Sequence, residues 1–248
     1  MEERVDIRAA VRERYGAIAD GTCGCGCGCS SECCGDTVTT GLSELGYSAE
    51  EAAAIPEGAN LGLGCGSPIS LAKPKRGDTV LDLGSGAGVD AFLAAREVGP
   101  EGRVIGVDMT PAMIDRSRAN AAKGAYANVE FRLGEIEHLP VPDGSVDIIV
   151  SNCVVNLSPE KDRVFREAYR VLKPGGRMLV SDLVLEQPLP RETRESIEAY
   201  VGCIAGASLR GDYLQLMRDA GFQEVEVVRE GRYGADPVTS VQVRAVKP

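Results

Sequence analysis

The sequence predicts an α/β protein with a seven-stranded, mostly parallel sheet, helices on both faces and an antiparallel final strand. Three observations carry that expectation. From residue 78 onward, short apolar runs alternate with helix-length segments, the pattern of strands joined by crossover helices. The first run passes directly into Gly84-Ser85-Gly86-Ala87-Gly88, a turn whose backbone can approach a ligand closely. The last two runs, at 223–229 and 239–246, read as an antiparallel pair.

Residues 4–18 place Val5, Ile7, Val11, Tyr15 and Ile18 among charges, the spacing of an amphipathic helix. Between 21 and 35 the chain holds too much Gly and Cys for a regular element, and a loop is expected. Ser48, with Glu51 three residues on, opens a short helix to Ala54. A second glycine-rich stretch covers 58–68. Strands are then expected at 79–83, 103–108, 129–133, 146–150 and 177–182, the fifth entered through the turn Lys173-Pro174-Gly175-Gly176. Helices are expected at 88–98, from Pro111, at 159–172, at 191–205 and at 211–220.

Composition narrows the function. The chain has 248 residues, 44% of them hydrophobic, enough for one large domain. Its net charge of −10 supplies no basic surface for nucleic acid or for anionic lipid. Aromatics are 4% with no Trp, so base-stacking platforms are not expected either. Small molecules remain. Charged residues fill Met1 to Asp6 and no apolar run reaches eighteen residues, so a soluble, cytoplasmic protein is expected. Nine cysteines stand out in such a chain, six of them between residues 23 and 34. In a reducing compartment, metal binding or redox chemistry is favoured over disulfide stapling.

The second strand ends at Asp108, twenty residues after Gly88, where an acid can accept from ribose hydroxyls. A nicotinamide fingerprint would carry a third glycine where Val89 stands. S-adenosylmethionine has no phosphate, and its ammonium group wants a carboxylate, which Asp82 can supply. The segments Leu81–Gly88, Gly106-Val107-Asp108, Gly134–Pro140 and Leu172–Gly176 resemble, in order, those of the Rossmann-like class I methyltransferases. That resemblance implies that Asp82, Gly84, Ser85 and Gly86 line the methionine end of S-adenosylmethionine and that Asp108 holds the ribose. Met109 would pack on the adenine, Glu135 and Ile136 would flank its amino edge, and Asn152 would sit beside the reacting methyl.

Three further cysteines are scattered singly. Cys153 lies just past the carboxyl end of the fourth strand, the edge at which open α/β sheets bind ligands. Cys65 sits in a glycine-rich loop with little bulk to bury it, whereas spacing alone leaves Cys203 as an ordinary buried thiol. The segments Pro56–Gly66, Ser151–Ser158 and Glu198–Cys203 resemble arsenite methyltransferases. The resemblance implies that Cys65, Cys153 and Cys203 bind trivalent arsenic. Soft thiolates suit such a centre, and three of them leave arsenic a lone pair that can attack a sulfonium methyl. It also implies that enzyme thiols return the oxidised arsenic to the trivalent state, with Cys33 and Cys34 as candidates and thioredoxin or glutathione as reductant. Cys23, Cys25, Cys27 and Cys29 could relay arsenic, bind a metal or be a tolerated loop. The single histidine, His138, is expected to be structural or exposed.

In domain terms, residues 1–72 would complete the substrate site and residues 73–248 would form one compact S-adenosylmethionine-binding methyltransferase unit. Two other functions compete. One is methylation of an organic acceptor such as a quinone or sterol, since the fold hosts many substrates. The other is metal sequestration through the cysteine loop.

Overall fold

The computed structural model describes residues 6–21, 40–233 and 237–248. Strands β1 (Thr79–Leu83), β2 (Arg103–Asp108), β3 (Val129–Leu133), β4 (Val146–Asn152) and β5 (Leu172–Leu185) are parallel. The sheet continues through β8 (Val238–Val246), antiparallel to β5, to β7 (Gln223–Arg232) at the edge. Spatial order is β3-β2-β1-β4-β5-β8-β7. An eighth strand, β6 (Ser208–Leu209), pairs with the end of β5 and was not expected. Chain order reverses between β1 and β4, which opens a crevice at their carboxyl ends.

The central strands are apolar on both faces because both are covered. Val80, Val104, Ile148, Val150 and Leu179 face one core, packed by α4 (Pro68–Ala72), α5 (Val89–Val98) and α6 (Pro111–Lys123). There Phe92 meets Phe131 edge-on, with ring centres 5.6 Å apart. Leu81, Leu83, Ile105, Ile149, Met178 and Val180 face the other core, under α7 (Lys161–Val171) and α10 (Arg210–Asp219). Phe165 and Tyr213 lock those two helices at 5.4 Å. At the margin, β7 alternates half-buried valines with Glu224, Glu226 and Glu230, charges that discourage pairing with a further strand.

The N-terminal elements cap the crevice. Helix α1 (Ile7–Ala19) starts at Asp6, whose carboxylate accepts from the Arg8 and Ala9 amides. At its other end the Ala19 carbonyl accepts from Arg116 on α6 at 2.6 Å. Two short helices follow, α2 (Thr40–Glu44) and α3 (Ala49–Ala54); the second carries the reciprocal Ser48–Glu51 cap that the sequence indicates.

Three boundaries differ from expectation. The helix expected at 191–205 is two pieces, α8 (Arg191–Arg194) and α9 (Ile197–Val201). Ser196, in extended conformation, stops the first and caps the second by accepting from the Ala199 amide. Strand β5 runs on from 182 to 185, so Asp182 lies within the sheet and not at its end. The same strand begins at Leu172, and the expected turn survives as a register irregularity against β4, with Gly175 at φ 78°. Among the described residues no helix is long and apolar enough to cross a membrane.

Candidate active site

The crevice beyond β1 and β4 holds about 1060 Å³ of atom-free space, open to solvent. Its floor is the glycine turn. Gly84 and Gly86 have φ of 63° and 52°, and a Cβ on Gly84 would lie 2.3 Å from the Val154 side chain, so only glycine fits there. Asp108 ties this turn to β2. Its carboxylate accepts from the Gly86 amide at 3.0 Å and the Thr110 amide at 2.8 Å. Burial raises its pKa, and those bonds oppose the rise.

Asp82 is 2% exposed, and its Oδ2 is buried without a partner; so is the Ser85 hydroxyl oxygen. Burial first, then the neighbouring Asp90 and Asp108, pushes the Asp82 carboxyl well above the usual range. An unpaired buried carboxylate is costly, and a cationic donor seated there removes the cost. That observation fits the ammonium end of S-adenosylmethionine. Met109, Met113 and Ile136 give the far end apolar walls. Glu135 does not line the crevice; it pairs with Arg12 at 3.5 Å on the surface. The acid that does line it is Glu137, 3% exposed, which accepts from Ser158 at 2.6 Å and Arg8 at 3.1 Å. His138 lies exposed beside Arg163.

Asn152 joins the crevice to the thiols. Its Oδ1 accepts from the Cys65 amide at 3.0 Å, while its Nδ2 donates to the Gly66 carbonyl at 2.7 Å and to Asp90 at 3.2 Å. Tyr47 donates to the other Asp90 oxygen at 2.9 Å. Burial raises the Asp90 carboxyl to about 6 despite these bonds. Neither Tyr47 nor Asp90 was singled out from sequence. Asp90 sits one residue into α5, where an acid reads as ordinary helix-start chemistry.

Behind Asn152 the three single cysteines converge. Cys65 is held by its amide on Asn152 and by its thiol on the Ser181 carbonyl at 3.4 Å. Cys153 leaves β4 with its amide on that same carbonyl at 2.7 Å. Cys203 ends the segment after α9, with its sulfur 3.0 Å from the Cys153 carbonyl. Sγ of Cys65, Sγ of Cys153 and a carboxylate oxygen of Asp182 all lie within 4.8 Å of one another. All three cysteines are free. Cys153 and Cys203 are left-handed, at φ 60° and 66°, a conformation that costs a side-chain-bearing residue roughly 1–2 kcal/mol. Burial raises the Cys65 thiol pKa. The Cys203 bond pulls the Cys153 thiol down, yet its bond to Cys65 and its burial leave it well above the usual value. Cys203 is raised by its bond to Cys153 and by burial. In this state the pocket is a cluster of neutral thiols. The expectations for Cys33, Cys34 and the run Cys23, Cys25, Cys27 and Cys29 lie outside the described residues.

Comparison with known proteins gives this geometry a context. Residues 74–221 match the family model described as a methyltransferase domain. The chain is similar to a solved arsenic(III) S-adenosylmethionine methyltransferase from Chlamydomonas reinhardtii, at 35% identity and TM-score 0.68, covering 85% of this chain and 73% of that one. The chain belongs to the arsenite methyltransferase family. Among curated members, that of Halobacterium salinarum is 52% identical over 90% of this chain and 59% of its own length. The human member is 38% identical over 58% of this chain and 40% of its own. The chain thus spans about half the length of these two curated members.

Proposed function

We propose that this protein transfers methyl groups from S-adenosylmethionine to trivalent arsenic, giving methylated arsenicals for detoxification. The carrying observation is the convergence of Cys65, Cys153 and Cys203 in one buried pocket directly behind a nucleoside-sized crevice. The activities named for the family members support the reading.

S-adenosylmethionine, when bound, supplies an electrophilic methyl group. Asp82 would accept from its ammonium group, Asp108 from the ribose, and Met109 and Ile136 would flank the adenine. Ser85 would offer its unpaired hydroxyl to the methionine end. The segment before residue 73 completes the substrate site by contributing Cys65 and, from α1, the walls Arg8, Val11 and Tyr15.

The three thiols exchange with the hydroxyl groups of arsenite; each thiol proton leaves with a hydroxyl as water. Three sulfurs occupy three corners of a pyramid, so the arsenic lone pair stays free to act as nucleophile. No proton leaves the attacking atom, and the site accordingly needs no general base. Holding both reactants at close range can contribute ~7–11 kcal/mol. Methyl transfer raises arsenic to the pentavalent state, so two electrons must return. We assign them to two thiols, Cys33 or Cys34 and a second cysteine of the chain, which give up two protons and two electrons as their disulfide forms; thioredoxin or glutathione reopens it, as a reducing cytoplasm allows.

The test is direct. Incubation with arsenite, labelled S-adenosylmethionine and a thiol should yield labelled mono- and dimethylated arsenic on speciation. Cys65→Ser, Cys153→Ser and Cys203→Ser should each lower turnover on arsenite at least a hundredfold. Absence of any methylarsenical, or full activity in all three variants, overturns the reading.

A further inference from the structure

The thiol pocket contains a donor that trivalent arsenic does not need. Asp182 lies inside β5 with 0% exposure, and a carboxylate oxygen of it stands within 4.8 Å of the sulfurs of both Cys65 and Cys153. A pyramidal arsenic uses three sulfurs and leaves the fourth direction to its lone pair. Three sulfurs and one carboxylate oxygen, by contrast, make a four-coordinate donor set of the kind that zinc takes.

We propose that this pocket is also a site for a thiophilic divalent cation of the zinc class, ligated by Cys65, Cys153, Asp182 and Cys203. The distances suit it. A tetrahedral ion with sulfur near about 2.3 Å spaces its ligands about 3.8 Å apart, so the three mutually close donors need shift by no more than about 1 Å. Cys203 lies outside that close set, with its sulfur 3.0 Å from the Cys153 carbonyl, and a turn of its side chain would supply the fourth position.

The surroundings orient the carboxylate as metal sites require. Asp182 Oδ1 accepts from Asn156 at 2.8 Å and from the Leu183 amide at 2.9 Å, and Oδ2 accepts from Tyr213 at 3.1 Å. Those bonds fix the group, and Oδ2, with a single donor, keeps a lone pair for a cation. Lys161 interacts electrostatically with both Asp182 and Cys203, offsetting the negative charge that thiolates bring. On binding, zinc–sulfur bonds replace sulfur–hydrogen bonds and the thiol protons pass to solvent. No electron moves.

Zinc and arsenic would then exclude one another, since they share the sulfurs. The ligation stands on the donor set alone; the inhibition that follows from it rests on the arsenic reading above. Loss of Asp182 should therefore separate the two ligands, because only the divalent cation uses it.

The experiment is calorimetric titration of zinc chloride, and separately of arsenite, into the reduced full chain. Cys23→Ser, Cys25→Ser, Cys27→Ser, Cys29→Ser, Cys33→Ser and Cys34→Ser are introduced so that the other thiols do not contribute. We expect one zinc per chain, displaced by arsenite. Asp182→Asn should weaken zinc at least tenfold and change arsenite affinity by less than threefold, retained arsenite binding being the control for folding. Asp182→Cys should keep zinc. If Asp182→Asn does not fold, cobalt(II) in the chain with Asp182 intact decides: intense visible bands of a four-coordinate site, abolished by arsenite, support the proposal. No stoichiometric zinc, zinc that arsenite does not displace, an octahedral cobalt spectrum, or equal losses of zinc and arsenite in Asp182→Asn overturn it. Zinc binding without arsenic methylation would instead sink the proposed function and leave this site standing.

Discussion

Cys203 carries a side chain at φ 66°, where glycine would rest without strain. Cys203→Gly should consequently be more stable than Cys203→Ala by about 1 kcal/mol, with turnover on arsenite lost in both; equal urea midpoints would show that the backbone there is unstrained. Asp182 makes a different prediction. Burial raises its carboxyl from 3.8 to about 7, so between those values the folded chain keeps a proton that the unfolded chain has released. Its cost to stability is absent at pH 4, grows as pH rises and is complete above about 7. Asp182→Asn removes that dependence. Relative to the parent, its unfolding free energy should climb across pH 4–7 by up to ~4 kcal/mol, and parallel curves would refute the shift. The three sulfurs were legible in sequence because their segments carry a family pattern. Asp182, Asp90 and Glu137 were not, because nothing in Ser181-Asp182-Leu183 says that the acid will be sealed between β5 and Tyr213.

At the scale of elements, α1 roofs the crevice by ion pairing. Arg8 bonds Glu137 and Glu160, and Glu137 is almost wholly buried. Arg8→Met strands that carboxylate on Ser158 alone and should cost about 1–3 kcal/mol in urea denaturation. Adding Glu137→Gln should recover much of the loss; a strictly additive double variant would show that the pair does not couple. The strands β1 to β4 were readable to within a residue or two, since buried parallel strands are short, apolar and bounded by turns. Helix 191–205 was not. Its composition permits one helix, and its division depends on Ser196 capping in an extended conformation and on Cys203 turning left-handed to reach Cys153. Two-residue β6 has no sequence signal at all, because it exists only by lying along the end of β5.

For the molecule as a whole, the donor crevice and the thiol pocket share one wall. S-adenosylmethionine at a hundred times its dissociation constant should raise unfolding free energy by about 2.7 kcal/mol, and Asp82→Asn should remove about half of that gain or more by weakening the ligand at least tenfold. Calorimetry with and without S-adenosylmethionine measures both. The shared wall is Asn152, whose single amide bonds Asp90 on the donor side and the Cys65 amide on the other. A cation settling among Asp82 and Asp90 should pull on the group that positions Cys65, and the two ligands are then expected to communicate through one side chain. Thermodynamic linkage then makes the effect mutual: whatever factor the nucleoside adds to arsenite affinity, arsenite must return to the nucleoside. In Asn152→Ala that factor should fall towards one in both directions.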